Sequence, residues 1–220
     1  MPSFFGFTPS ERLSQDIDLI LKQRHSSEPL YPLRDQIALK LNEEIIDNLL
    51  LDLVKAFPSS DKRETAEKLG GFIKSTVATM LKQLLSKSSN ESIQKSIEFI
   101  QHSTFTDQNG QRKLGVALPP ELVTNLKLNL QSVLDGQHEQ VKPVLTRLYQ
   151  EFAHEAVRHF MTDFNKTLEL GMIKRKIAEV AASAVTKGAD IGINKLVPNL
   201  NKDELRVLAQ HHNEMFFNTP

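Results

Sequence analysis

Apolar residues recur at helical spacing along most of the 220-residue chain. Leu13, Ile17, Ile20 and Leu21 share one face of a predicted helix running to about His25. Thr8-Pro9-Ser10-Glu11 precedes it in the form of a capping box, with Thr8 as N-cap and Glu11 reaching back. A second helix is predicted from about Pro32 to Ala56, ended by Phe57-Pro58. Seven of the ten residues from Ile45 to Val54 are large and aliphatic and point all round the axis. A helix apolar on every side is expected to be buried on every side, so this stretch is the predicted centre of the core or of a subunit interface.

The next predicted helix runs from Asp61 to about Lys87 and contains Gly70-Gly71. Two adjacent glycines cost about 1 kcal/mol each relative to alanine, so a kink or a close approach is expected there. Asn90 caps a short helix through about Gln101. Between residues 103 and 118 the period changes from helix to strand. Asn109-Gly110 is the preferred pair for a two-residue type I′ turn, which sets Phe105 opposite Leu114 and Ser103 opposite Val116. Pro119-Pro120 opens a helix to about Leu134, followed by helices over about Gln140–Leu168 and Met172–Leu196. Asn201-Lys202-Asp203-Glu204 is a second capping box, opening a last helix to about Phe216.

The pattern predicts an all-α fold: a single helical-bundle domain of about eight helices with one short β-hairpin (about 103–118). A shift of 87 positions gives seven identities over the 27 residues from Tyr31 to Phe57. This suggests two similar helical halves, about 9–102 and 119–217, joined by the hairpin segment within one domain spanning 1–220.

Composition removes several kinds of chemistry. The chain has no cysteine, so disulfides, thiolate metal sites and cysteine nucleophiles are excluded. It carries 27 Lys+Arg against 27 Asp+Glu. That balance hides a net −3 over residues 1–60 and a net +2 over each of 61–103 and 171–220. No apolar run approaches the ~18 residues of a membrane span, and the start lacks the basic-then-apolar order of a secretory signal. A cytoplasmic location without a transmembrane segment is the expectation.

Three constellations are candidates for function. Glu151 and His154 form the Glu-x-x-His step of di-iron carboxylate bundles. On a helical wheel, however, they turn away from the stripe of Leu145, Leu148, Phe152, Ala156 and Phe160, and no second such step follows. A solvated face with helical charge pairs is the plainer reading. His159 and His212 do fall on apolar stripes, where a histidine can titrate, hold a ligand or simply satisfy its nitrogens inside the core.

The second constellation is the order helix, turn, helix and hairpin over about 81–118, which has the layout of a winged helix-turn-helix. Its nucleic-acid contacts would be Lys74, Lys82, Arg112 and Lys113. Too few cations accompany the helix near Ser92 to favour that reading. The third is Ala184-x-x-x-Gly188-x-x-x-Gly192, a small-residue seam that lets another helix approach closely, within the chain or in a second copy. Phe4, Phe5, Phe7, Phe216 and Phe217 crowd the two ends, where docking on the body is the favoured expectation over a partner or lipid.

No phosphate loop, nucleophile elbow or dinucleotide fingerprint is present, which lowers the expectation of an enzyme. No cofactor is predicted. The expected role is a non-catalytic helical interaction or scaffolding protein, with a protein partner or self-association as a homodimer. The alternatives are a winged-helix-like nucleic-acid binder and a metal- or small-ligand-binding helical bundle.

Overall fold

The computed structural model describes residues 4–57 and 61–219. Pro58, part of the expected stop after the second helix, lies outside the described residues. The elements are predominantly helical, joined by a small antiparallel sheet, so the all-α expectation with a short hairpin holds.

Strand β1 (Phe4–Phe7) leads into α1 (Glu11–Gln23). Here the expected cap is displaced. Ser10, not Thr8, is the N-cap and accepts from the Leu13 amide at 3.2 Å. The backbone amide and hydroxyl of Ser10 both donate to the buried carboxylate of Glu44, and that tertiary anchor fixes the start of the helix.

Helix α2 (Tyr31–Ile46) widens into a π-helical turn over Asp47–Leu51, then resumes as α3 (Asp52–Lys55). Helix α4 (Asp61–Leu84) is continuous through both glycines. The close approach expected there is made at Gly70, where a Cβ would stand 2.6 Å from Cδ2 of Leu51; Gly71 faces open space. Ser89 caps α5 (Asn90–His102). Asn90 instead ties the loop between α1 and α2, donating to the Ser26 and Glu28 carbonyls and accepting from the Leu30 amide.

Strands β2 (Thr104–Thr106) and β3 (Arg112–Ala117) form the hairpin, one residue out of the expected register. Phe105 pairs with Lys113 and Thr104 with Leu114. The cause is Asp107. Its carboxylate accepts from the amides of Asn109 and Gln111, each at 2.9 Å, so the loop holds three residues with Gly110 at φ 77°. That is the three-residue hairpin ending in a left-handed glycine, and a slip of one residue moves every side chain to the other face. Phe105 consequently meets Phe4 and Phe217, with ring centroids 4.4 and 5.8 Å apart.

Helices α6 (Pro120–Leu134) and α7 (Lys142–Val157) follow. A second π-helical turn, Arg158–Asp163, runs into the short α8 (Phe164–Lys166). Then come α9 (Met172–Leu196), a 3-10 turn (Val197–Asn199) and α10 (Lys202–Glu214), whose Asn201–Glu204 capping box forms as expected. Strand β4 (Phe216–Phe217) closes a sheet of order β2-β3-β1-β4. The phenylalanines at both ends therefore dock in the sheet. Phe5 stacks edge-on against Phe152 at 4.6 Å, and Phe4 stacks on Phe217.

Two apolar clusters form. The larger joins α1, α2, α5, α6, α7, α10 and the sheet around Leu13, Ile93, Leu130 and Leu145. The smaller lies between α4, α9 and the end of α7, around Ile73, Met80, Met161 and Val185.

Candidate functional site

The run Ile45–Val54 is not packed on every side. All five residues of its π-helical turn are only half-buried. Two of them, Leu49 and Leu50, line a cavity of about 220 Å³ where the two clusters meet. A π turn is wider than the 3.6-residue α-helical turn, so residues four apart stay in line. Ile45 and Ile46, Leu49 and Leu50, and Leu53 and Val54 all reach the cavity this way. The second π turn lies on its wall as well, supplying Phe160 and Met161. Small side chains complete the lining: Ala153 and Ala156 of α7 and Ala189 of α9.

Among the described residues only Asn42, Tyr149 and His212 bring polar atoms to this wall. They already have partners. The Asn42 amide donates to the Lys74 carbonyl at 3.3 Å. Nε2 of His212 lies 3.0 Å from the Leu49 carbonyl, which can only accept, so Nε2 carries the hydrogen. Nδ1 of the neutral ring then accepts from the Tyr149 hydroxyl at 2.7 Å. His211 repeats the device one residue earlier, donating from Nε2 to the Asn48 carbonyl at 2.7 Å. Consecutive histidines thus satisfy consecutive carbonyls of the π turn, where the α-helical ladder is interrupted.

Burial sets the protonation of this pair. It holds His212 down to about 4 against the bond to the Leu49 carbonyl, which raises the value, and neighbouring His211 lowers it further. It raises Tyr149 well above the usual phenol value. Both groups are therefore neutral at pH 7, and among the described residues no cation lines the cavity. A charge enclosed by this wall would be costly.

An open apolar volume is costly. At roughly 24 cal/mol per Å³, a void of this size forfeits on the order of 5 kcal/mol of packing. That is comparable with the entire 5–15 kcal/mol stability typical of a domain. A smaller engineered apolar cavity, about 150 Å³, stays dry and takes up benzene.

The residues singled out from the sequence lie elsewhere, His212 excepted. Glu151 and His154 are exposed; Glu151 sits 3.7 Å from Arg147, and His154 bonds Asp190 of α9 at 2.9 Å. Among the described residues no group of three or more His, Cys, Asp or Glu is placed to hold a metal ion. His159, in the second π turn, bonds the Ser103 hydroxyl at 2.9 Å and packs on Phe99. Burial holds it down to about 4 as well.

Lys74 bonds Asp47 at 3.0 Å, and Arg112 bonds Asp18 at 2.6 Å. Lys113 meets the Thr8 hydroxyl at 3.0 Å, while Lys82 is exposed. Of the small-residue seam, Gly188 and Gly192 are covered from within the chain. A Cβ on them would stand 2.7 Å from the Phe72 ring and 2.2 Å from Leu69 of α4. Ala184 faces an open groove beside α4.

Tyr149 and the cavity itself were missed from the sequence. Tyr149 falls on the apolar stripe of α7, and the aliphatic run on α2 was the one visible signal. No family model matches the chain, and comparison with curated proteins and with solved structures gave no match. Among the described residues no helix is long and apolar enough to cross a membrane.

Proposed function

We propose that the protein binds a hydrocarbon-rich small molecule, uncharged where it is enclosed, in the cavity between α2, α4, α7 and α9. The observation that carries this reading is an apolar space of about 220 Å³ whose few polar wall groups are internally satisfied. It favours the small-ligand-binding bundle over the nucleic-acid reading, since Lys74, Arg112 and Lys113 are occupied by partners of the same chain. The Tyr149 oxygen keeps lone-pair capacity, so a single ligand hydroxyl can be accommodated at that end.

The test is thermal unfolding with straight-chain alcohols of increasing length. A ligand at ~100-fold its Kd stabilises by about 2.7 kcal/mol. For a chain of this size that raises Tm by roughly 5–10 °C. Ala156→Phe, which fills the cavity from α7, is expected to abolish the rise without lowering the ligand-free Tm. No shift with any chain length, or an equal shift in Ala156→Phe, removes the reading.

A further inference from the structure

Five of the eight large apolar side chains left exposed among the described residues belong to the paired helices α4 and α9. They are Phe72, Met172, Ile173, Val180 and Ile191, with Met172 88% and Ile173 79% exposed. Monomeric surfaces rarely gather such residues into one patch. On α9 the pattern is regular: Ile173, Ile177, Val180, Ala184, Lys187 and Ile191 follow one another at alternating steps of four and three. This is the 3.5-residue repeat by which one helix presents a seam to another. It is turned away from the face that α9 buries, Ala178, Ala181, Val185, Ala189 and Leu196. The seam is about 27 Å long at 1.5 Å per residue. Beside it runs an open groove floored by Ser75, Thr76 and Thr79 of α4.

We propose that this seam pairs with its own copy, α9 against α9, antiparallel about a two-fold axis near Ala182. The sequence of the seam is self-complementary in that direction. Ile173 meets Ile191 of the second copy, Ile177 meets the stem of Lys187, and Val180 meets Ala184. Along the same edge, Lys176 comes opposite Asp190 and Glu179 opposite Lys187, so both cross-axis pairs are of opposite sign. A parallel pairing would instead set Lys187 against Lys187 within the seam. Forming these pairs exchanges two present contacts: the exposed Lys176–Glu179 ion pair at 3.5 Å and the bond of Asp190 to His154 at 2.9 Å. This face is not the one formed by Gly188 and Gly192, which α4 of the same chain covers. The inference is independent of the cavity.

Sedimentation equilibrium of the full chain over a wide concentration range tests it. The expected result is a reversible species of twice 24.9 kDa, which Val180→Glu returns to the monomer while melting at concentrations too low for the dimer stays unchanged. Glu179→Lys and Lys187→Glu each weaken the dimer, and the double variant recovers it. The absence of cysteine makes orientation directly readable. Ile173→Cys combined with Ile191→Cys cross-links on oxidation, whereas Ile173→Cys alone does not. A monomer at every concentration overturns the proposal, as does a dimer indifferent to Val180→Glu. Cross-linking of Ile173→Cys alone, or capture by anionic vesicles with no self-association, overturns it too.

Discussion

The hydroxyl of Tyr149 donates to Nδ1 of His212 across 2.7 Å at the wall of the cavity, and the opposite nitrogen of that ring holds the Leu49 carbonyl. This chain links α7, α10 and the first π turn. Donation in this direction uses the lone pair of a neutral imidazole, the form that burial favours.

Stability should therefore fall on acidification. The folded state holds His212 down to about 4, against 6.5 for the free group. A depressed value means the unfolded chain binds the proton more readily. The contribution is intact above pH 6.5 and is lost progressively as pH falls to about 4. Over that window His212 alone accounts for about 3 kcal/mol. Denaturant unfolding at a series of pH values measures it, and His212→Leu should flatten the slope. Tyr149→Phe should cost about 1–3 kcal/mol by leaving Nδ1 without a donor.

Truncation at the cavity wall should be cheaper than truncation in the core. Leu145 is fully buried among neighbours, so Leu145→Ala should cost about 2–5 kcal/mol. Leu49 already borders open space, so Leu49→Ala should cost less than about 2 kcal/mol. Equal losses in urea titrations would show that the space is filled by protein.

Two of the close glycine approaches, at Gly6 and Gly192, should respond differently. A Cβ on Gly6 would stand 2.1 Å from the Leu114 carbonyl oxygen, a backbone atom that cannot move aside. Gly6→Ala should separate β1 from β3 and cost more than about 2 kcal/mol. At Gly192 the obstructing atom is the end of the Leu69 side chain, which borders the cavity. Gly192→Ala should push Leu69 into that space. Alanine also favours the helix by about 1 kcal/mol, so Tm changes little while alcohol binding weakens.

Much of the fold was legible in the sequence because helix faces and caps are local. Ile17 and Ile20 on α1, the Asn201–Glu204 capping box and the limits of α9 follow from spacing alone. The hairpin was legible as an element but not in its register. The Asp107 carboxylate selects the three-residue loop, and its bonds outweigh the Asn-Gly preference. The cap of α1 was misplaced for a similar reason, since Glu44 lies 34 residues from Ser10.

The site was hardly legible. A run apolar on all sides reads the same whether neighbours or empty volume surround it. Distinguishing the two needs the π turns at Asp47–Leu51 and Arg158–Asp163, and periodicity does not announce them. His212 was visible as a histidine on an apolar stripe. Its partners, Tyr149 and the Leu49 carbonyl, are 63 and 163 residues away in the chain.

Calorimetric titration of the protein with straight-chain alcohols, length by length, tests the central claim most directly. The account predicts saturable binding at one ligand per chain with a negative heat-capacity change. Affinity should rise with each added methylene until the cavity is full and then fall. Heats indistinguishable from dilution at every length, or affinity that keeps rising with no limit and no fixed stoichiometry, would contradict it.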